Sequence, residues 1–300
     1  MREYLKIRKP LLPWTISGES KGSNMALLRA FSFTGVSAIL VSVSLWLSGV
    51  RASSAAVPVE AHKAIVVAEL FTSEGCSSCP PADEILSRLV QQQPVTAVTV
   101  LGLSENVDYW NRLGWVDPFS SPAFSERQSR YAAQVFRSGG VYTPQMVIDG
   151  SLEEVGSDAG AVYRKIAQAA KIPKAAVNIA AILAPGATAL QIHLKVEVPP
   201  ELTIREPANV ILAITEDNVA SDVHRGENRG RLLRHNALVR SLQTVGDMMP
   251  STRTWSKTTS ASVARGWKPE NLKAIGFLQE QQGWRIIGAG WSEVESPAVR

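Results

Sequence analysis

Cysteine is nearly absent: Cys76 and Cys79 are the only two in a chain of 300 residues. Two cysteines exclude a framework of several disulfides. Histidine is also scarce, with four residues, and no spacing among them marks a metal site. The sequence lacks a phosphate-cradling glycine loop, a paired-carboxylate pattern and a nucleophile elbow. It also lacks a basic block. The pI is near 9.1, but the excess is local, because residues 1–52 carry seven Lys or Arg against two Glu. With a net charge of +4 overall, the remainder is close to neutral. A near-neutral remainder offers no electrostatic footprint for nucleic acid.

What is present describes an ordinary globular protein of about two domains. Hydrophobic residues make up 45% and charged residues 19%, which is enough apolar mass for a core. The two cysteines form a Cys-x-x-Cys within Phe71-Thr72-Ser73-Glu74-Gly75-Cys76-Ser77-Ser78-Cys79-Pro80-Pro81-Ala82-Asp83. A bridge over so short a loop constrains the unfolded chain little. The spacing therefore favours chemistry over a structural staple.

Met25–Arg29 is a short basic start, residues 30–50 are uncharged, and Ala52-Ser53-Ser54-Ala55-Ala56 follows. Residues 25–55 read as a signal peptide cleaved after Ala52 or Ala55, or as a retained membrane anchor. Either places the bulk of the chain in the periplasm or outside the cell. Residues 1–24 read as a disordered extension or as a mis-assigned start before Met25. Membrane attachment is expected only through an uncleaved segment 30–50.

Residues 62–171 read as a first domain. Ile65–Phe71 is a continuous apolar run, as in a strand buried on both faces. After the dithiol, Ala82, Ile85, Leu86, Leu89 and Val90 recur at helical spacing. Pro80 and Pro81 fit the first turn, where N–H groups lack acceptors. Val95–Leu101 is a second buried strand, so the cysteines open a helix at the carboxyl end of the first strand. Segment 104–121 is an aromatic insertion. It reads either as a satellite core or as a wall over the cysteines. Phe124–Phe136 is helical. Thr143-Pro144 begins a strand that ends in an Asp149-Gly150 hairpin turn. Ser157-Asp158 caps a last helix.

The order strand, Cys-x-x-Cys, helix, strand, helix, Thr-Pro, hairpin, helix resembles the thioredoxin fold. Three segments are similar to a narrower group: Leu70–Asp83, Val107-Asp108-Tyr109-Trp110 and Tyr142-Thr143-Pro144-Gln145. They resemble the exported thioredoxin-like family catalogued as domain of unknown function 1223, across the whole mature chain. The resemblance implies a cis Thr143–Pro144 peptide lying against Cys76 and Cys79. It implies no settled activity.

After Pro173 the helical patterning disappears. Val177–Leu183, Leu190–Val198, Val210–Glu216, Leu272–Gln279 and Trp284–Trp291 read as strands. The expected architecture is thus α/β: a thioredoxin-like domain followed by a mostly-β, sandwich-like domain over 173–295. Arg225–Asn236 is locally basic and reads as a solvated loop, or as a surface for an acidic partner or for the first domain's rim.

By the resemblance, Cys76 is the exposed nucleophile at a helix start, Cys79 resolves the mixed disulfide, and Thr143 and Pro144 complete the site. No cofactor beyond the dithiol is expected, and the partner is a protein thiol or disulfide. Glu74, Asp83 and Glu84 oppose a thiolate, so its pKa is expected to be only modestly lowered. Two other readings stay open: a binding module with a static bridge, and a copper- or zinc-handling thiol protein using His224 or His235.

Overall fold

The apolar run after Lys63 forms strand β1 (Ala64–Thr72), and its alternation serves two cores. Val66, Ala68 and Leu70 face one layer, while Val67 and Phe71 face the other. These observations come from a computed structural model that describes residues 63–296. The segments read as a leader, an anchor or an extension, 1–24 and 25–55, lie outside the described residues. Among those described, no helix is long and apolar enough to cross a membrane.

Helix α1 (Pro80–Gln92) follows the dithiol. It buries Ala82, Ile85, Leu86 and Leu89, the face the periodicity predicts. Each large aliphatic buried there contributes about 1.5–3 kcal/mol. The helix sits very close to β2 (Val98–Asn106), which pairs in parallel with β1. A Cβ at Gly102 would stand 2.5 Å from Val90 Cγ1, so that position demands glycine.

Helix α2 (Pro122–Arg130) continues as a π-helical turn, Tyr131–Phe136. β3 (Gln145–Ile148) and β4 (Leu152–Val155) form a hairpin. Asp149 and Gly150 take φ of 47° and 63° at its turn, the conformation an Asp-Gly pair favours. Helix α3 (Ala159–Ala169) is capped by Asp158 Oδ1, which accepts from Ala161 N at 2.9 Å.

Apart from a short 3-10 turn at Pro269–Asn271, the remaining elements of the described chain are strands: β5 (Ala175–Leu183), β6 (Ala189–Glu197), β7 (Ala208–Glu216), β8 (Val219–Asp222), β9 (Leu232–His235), β10 (Leu238–Met248), β11 (Thr254–Ser262), β12 (Leu272–Glu280) and β13 (Ile286–Glu295). Eleven strands make one mixed sheet in the order β11-β6-β5-β13-β12-β7-β10-β2-β1-β3-β4, and β8 and β9 form a separate ribbon.

This overturns the expected fold class. The described chain is mostly β, with thirteen strands and three short helices. It is not a thioredoxin-like α/β domain followed by a separate sandwich. The join is at β2 and β10: Leu238 pairs with Ser104, and Ser104 N donates to Ala237 O at 2.8 Å. At that point the outer edge of β2 meets a strand from the C-terminal segment instead of ending a domain. Open edges of this kind carry unpaired backbone groups, and pairing removes that cost. The sheet also folds back on itself. Trp255 of β11 lies on β10, where a Cβ at Gly246 would be 2.4 Å from its Cζ2. The faces that meet there belong to one continuous sheet.

Candidate functional site

The chain leaves β1 at Thr72 and turns tightly, with Cys76 N donating to Ser73 O at 3.2 Å. Cys79 immediately precedes α1, and its carbonyl accepts from Ala82 N and Asp83 N at 2.8 and 3.1 Å. Cys76 and Cys79 form a disulfide with Cα atoms 5.5 Å apart. Thr143–Pro144 is cis, as the resemblance implied, and lies beside them. Thr143 Oγ1 is 3.4 Å from Cys76 Sγ, and Ser78 Oγ is 3.3 Å from the same sulfur. Trp110 Nε1 donates to Thr143 Oγ1 at 2.9 Å. An indole N–H only donates, so the Thr143 oxygen is the acceptor there and its own proton is left to donate, with the Cys76 sulfur at 3.4 Å and the Tyr109 hydroxyl as its acceptors. A disulfide sulfur carries no proton, so Ser78 is also the donor. Two hydroxyls converge on Cys76, one of them polarised by an indole.

One expectation fails at this point. Cys76 is not exposed; it and Cys79 both have 0% relative exposure. The cover comes from the aromatic insertion and from the β8–β9 ribbon. Asn228, in the ribbon's loop, donates its amide to Glu74 O and Cys76 O at 2.9 Å each. Glu227 Oε2 accepts from Ser77 N at 3.0 Å.

Behind the turn lies a buried polar cluster. Glu74 Oε2 accepts from Trp115 Nε1 at 2.8 Å and Ser221 Oγ at 3.2 Å. Its Oε1 is 3.1 Å from His235 Nε2. Asp117 Oδ2 accepts from Glu74 N and Asn106 Nδ2, each at 2.8 Å. Phe119 meets the His235 ring edge-on at 5.5 Å. The insertion thus acts both as a wall and as a satellite core: Trp110 packs with Phe71, Val107, Tyr131 and Val147.

Burial is the main cause that pushes the Asp83 carboxyl up to about 6, against the pull of His235 and a hydrogen bond from Thr72. Burial alone would lower His235, but the Glu74 hydrogen bond and the Asp83 charge outweigh it and raise the imidazole. The acidic opposition expected at the dithiol is therefore weakened. Glu74 is held by three donors, Asp83 takes up a proton near pH 6, and exposed Glu84 pairs with Arg88. Sequence reading missed Asn228 as part of the site and offered His235 only as a metal ligand, not as a partner of Glu74. Both lie about 150 residues along the chain from the dithiol, and no local pattern marks their contacts.

The two histidines of the metal reading have other partners. His235 is engaged by Glu74, and His224 stacks edge-on against Trp115 at 6.0 Å. Among the described residues no group of three or more His, Cys, Asp or Glu is arranged to hold a metal ion.

Fold and site together define a mixed-sheet protein with a disulfide at a strand-to-helix turn, closed over by a distant ribbon. The chain belongs to the family described as protein of unknown function (DUF1223), whose model matches residues 67–279. It is similar to a crystal structure of a protein from Agrobacterium tumefaciens, with 27% identity over 78% of this chain and 96% of that one, and a TM-score of 0.57. It is also similar to HBP35 of Porphyromonas gingivalis, with 16% identity over 79% of this chain and 78% of that one, and a TM-score of 0.59. At that identity the second likeness is one of fold. No curated protein matches the chain.

Proposed function

We propose that the Cys76–Cys79 pair is a redox dithiol that exchanges disulfides with protein substrates outside the cytoplasm, with Cys76 as nucleophile, Cys79 as resolving thiol, and Thr143 and Pro144 shaping the site. The observation that carries this reading is the pair of hydroxyls, Thr143 and Ser78, aimed at one sulfur. A disulfide sulfur is a weak acceptor and gains little from two donors. A thiolate gains much more, because hydrogen bonds to charged groups are worth about 1.5–3 kcal/mol each. The arrangement is matched to the reduced state.

The chemistry balances without a cofactor. The Cys76 thiolate attacks a substrate disulfide, forms a mixed disulfide and releases one substrate thiolate. Cys79, deprotonated, attacks the Cys76 sulfur, re-forms the internal disulfide and releases the second thiolate. Two electrons pass to the substrate. A substrate dithiol reverses the sequence. An exported location agrees with a stable disulfide and with the leader-like residues 25–55.

The burial of both cysteines favours a second reading, a binding module with a static bridge. Reduction of a protein disulfide such as insulin by wild type and Cys76→Ser separates the two. The redox reading expects activity only in wild type. Equal rates in both, or none in either, would favour the static bridge.

A further inference from the structure

Four arginines, Arg225, Arg229, Arg231 and Arg234, lie on the loop between β8 and β9 and on β9 itself, and all are exposed. None takes part in an ion pair among the described residues. The acidic residue among them, Glu227, directs its carboxylate to Ser77 N. The loop and β9 thus carry four arginines against one carboxylate, and the loop holds the dithiol turn through Asn228, whose Oδ1 accepts from Arg231 at 2.9 Å.

Apolar side chains are interleaved with it. Leu232 is 51% exposed. The insertion packs against the same loop, since a Cβ at Gly226 would lie 3.1 Å from Trp115 Cβ. That brings in Leu113 and Val116, which are 51% and 69% exposed. A cavity of about 300 Å³ opens between α1 and β9, with Arg231, Leu232 and Arg234 on one wall and Asp83, Glu84 and Ser87 on the other.

A strand of nucleic acid would need free aromatic faces as well as cations. Trp115 is tied to Glu74 and packed on His224. An excess of exposed cations beside exposed leucine and valine suits a polypeptide that carries both carboxylates and apolar side chains. We infer that the arginine-bearing loop and strand β9 form a docking surface for an acidic, amphipathic polypeptide segment, which delivers its disulfide or thiol to Cys76. The docking stands on the charge pattern alone; the delivery rests on the redox reading.

The test uses the full chain and three fluorescent probes: a short peptide of Glu and Leu, the same peptide with Lys for Glu, and single-stranded DNA. Binding is measured with wild type and with the double variant Arg225→Glu, Arg229→Glu. The loop's hydrogen bonds to the dithiol turn run through Glu227 and Asn228 and not through these two. The expected result is binding of the acidic peptide over both other probes, weakening with salt and falling by about tenfold or more in the variant. Equal binding of the two peptides, an unchanged affinity in the variant, or a preference for DNA would overturn it. A second arm follows exchange with a cysteine-bearing acidic peptide and with a small uncharged disulfide. The variant is expected to slow only the first. Binding without exchange leaves docking intact and sinks the redox reading. Exchange without peptide discrimination does the reverse.

Discussion

The side-chain amide of Asn228 spans two carbonyl oxygens, those of Glu74 and Cys76, at 2.9 Å each. One NH2 group has two protons, and both are used. A residue of the β8–β9 loop thereby fixes the backbone on either side of Gly75, and with Glu227 it straps the turn that carries the disulfide.

Releasing that strap should expose the sulfurs. Asn228→Ala leaves the Glu74 carbonyl without a donor, a cost of about 1–3 kcal/mol, and leaves Cys76 O only its bond from Cys79 N. The reduced variant is expected to react with iodoacetamide several-fold faster than reduced wild type. Unchanged alkylation with the expected loss of stability would show that the strap does not control access.

The hydroxyl of Thr143 is the donor most directly tied to the redox reading. Thr143→Val keeps the shape and removes the proton aimed at Cys76. Losing one hydrogen bond to a thiolate, about 1.5–3 kcal/mol, should raise the Cys76 thiol pKa by about one to two. Trp110→Phe removes only the polarisation of that hydroxyl and should move the pKa in the same direction by less. The pH profile of thiol alkylation reads both, and no shift in Thr143→Val would remove the hydroxyl from the account.

Asp83 sets a stability trend with pH. Its carboxyl titrates near 6 in the folded chain, above its ordinary value of 3.8. Ionisation is therefore disfavoured by folding, so stability is full below about pH 4 and declines as pH rises through 6. The raised His235 acts in the same direction at higher pH: its share is full below its ordinary 6.5 and is lost as pH climbs through the raised value. Glu74, Asp117 and Thr72 are the other groups facing this pair. Asp83→Asn should flatten the decline between pH 4 and 7. The gain at pH 7 is on the order of 3 kcal/mol, from about 1.4 kcal/mol per tenfold step in proton affinity. Denaturant melts at pH 4.5 and 7 measure it, and an equally steep decline in the variant would refute the assignment.

A second buried cluster lies under β1 and β2. Arg127 Nε is 2.6 Å from Glu69 and 3.6 Å from Glu105, and Tyr131 donates its hydroxyl to Glu69 at 2.5 Å. Burial, then the Glu69 charge, pushes Glu105 well above the usual carboxylate range, with Arg127 opposing. Neither Glu105 oxygen has a hydrogen-bond partner. Folding therefore favours the protonated form of Glu105, and Glu105→Gln should change stability by less than about 1 kcal/mol. Arg127→Met strands the Glu69 charge and should cost about 3–5 kcal/mol. Comparable losses in both variants would contradict the protonated state.

The sequence made the local elements around the dithiol legible. The apolar run of β1, the Ala82–Leu89 face of α1, the Asp149-Gly150 turn and the Asp158 cap all follow from periods and residues close in sequence. Strands β5, β6, β7, β12 and β13 were legible for the same reason. β10 and β11 were not, because Arg240-Ser241, Gln243-Thr244 and Lys257–Ser260 are polar, and their partners come from tertiary pairing. The joining of β2 to β10 rests on a single register pair, Leu238 with Ser104, and no periodicity encodes it. That pair is why two expected domains appear as one sheet. The dithiol and the Thr143-Pro144 peptide were found from motif, while Glu74, Asn228 and His235 meet only in three dimensions.

The most direct test of the central claim is a redox titration of Cys76–Cys79 in the full chain, against dithiothreitol and glutathione buffers. Donors that favour the thiolate stabilise the reduced form and raise the potential. The account predicts a midpoint above about −300 mV, lowered in Thr143→Val. A midpoint below about −300 mV, unmoved by Thr143→Val, would make the bridge a structural one and contradict the account.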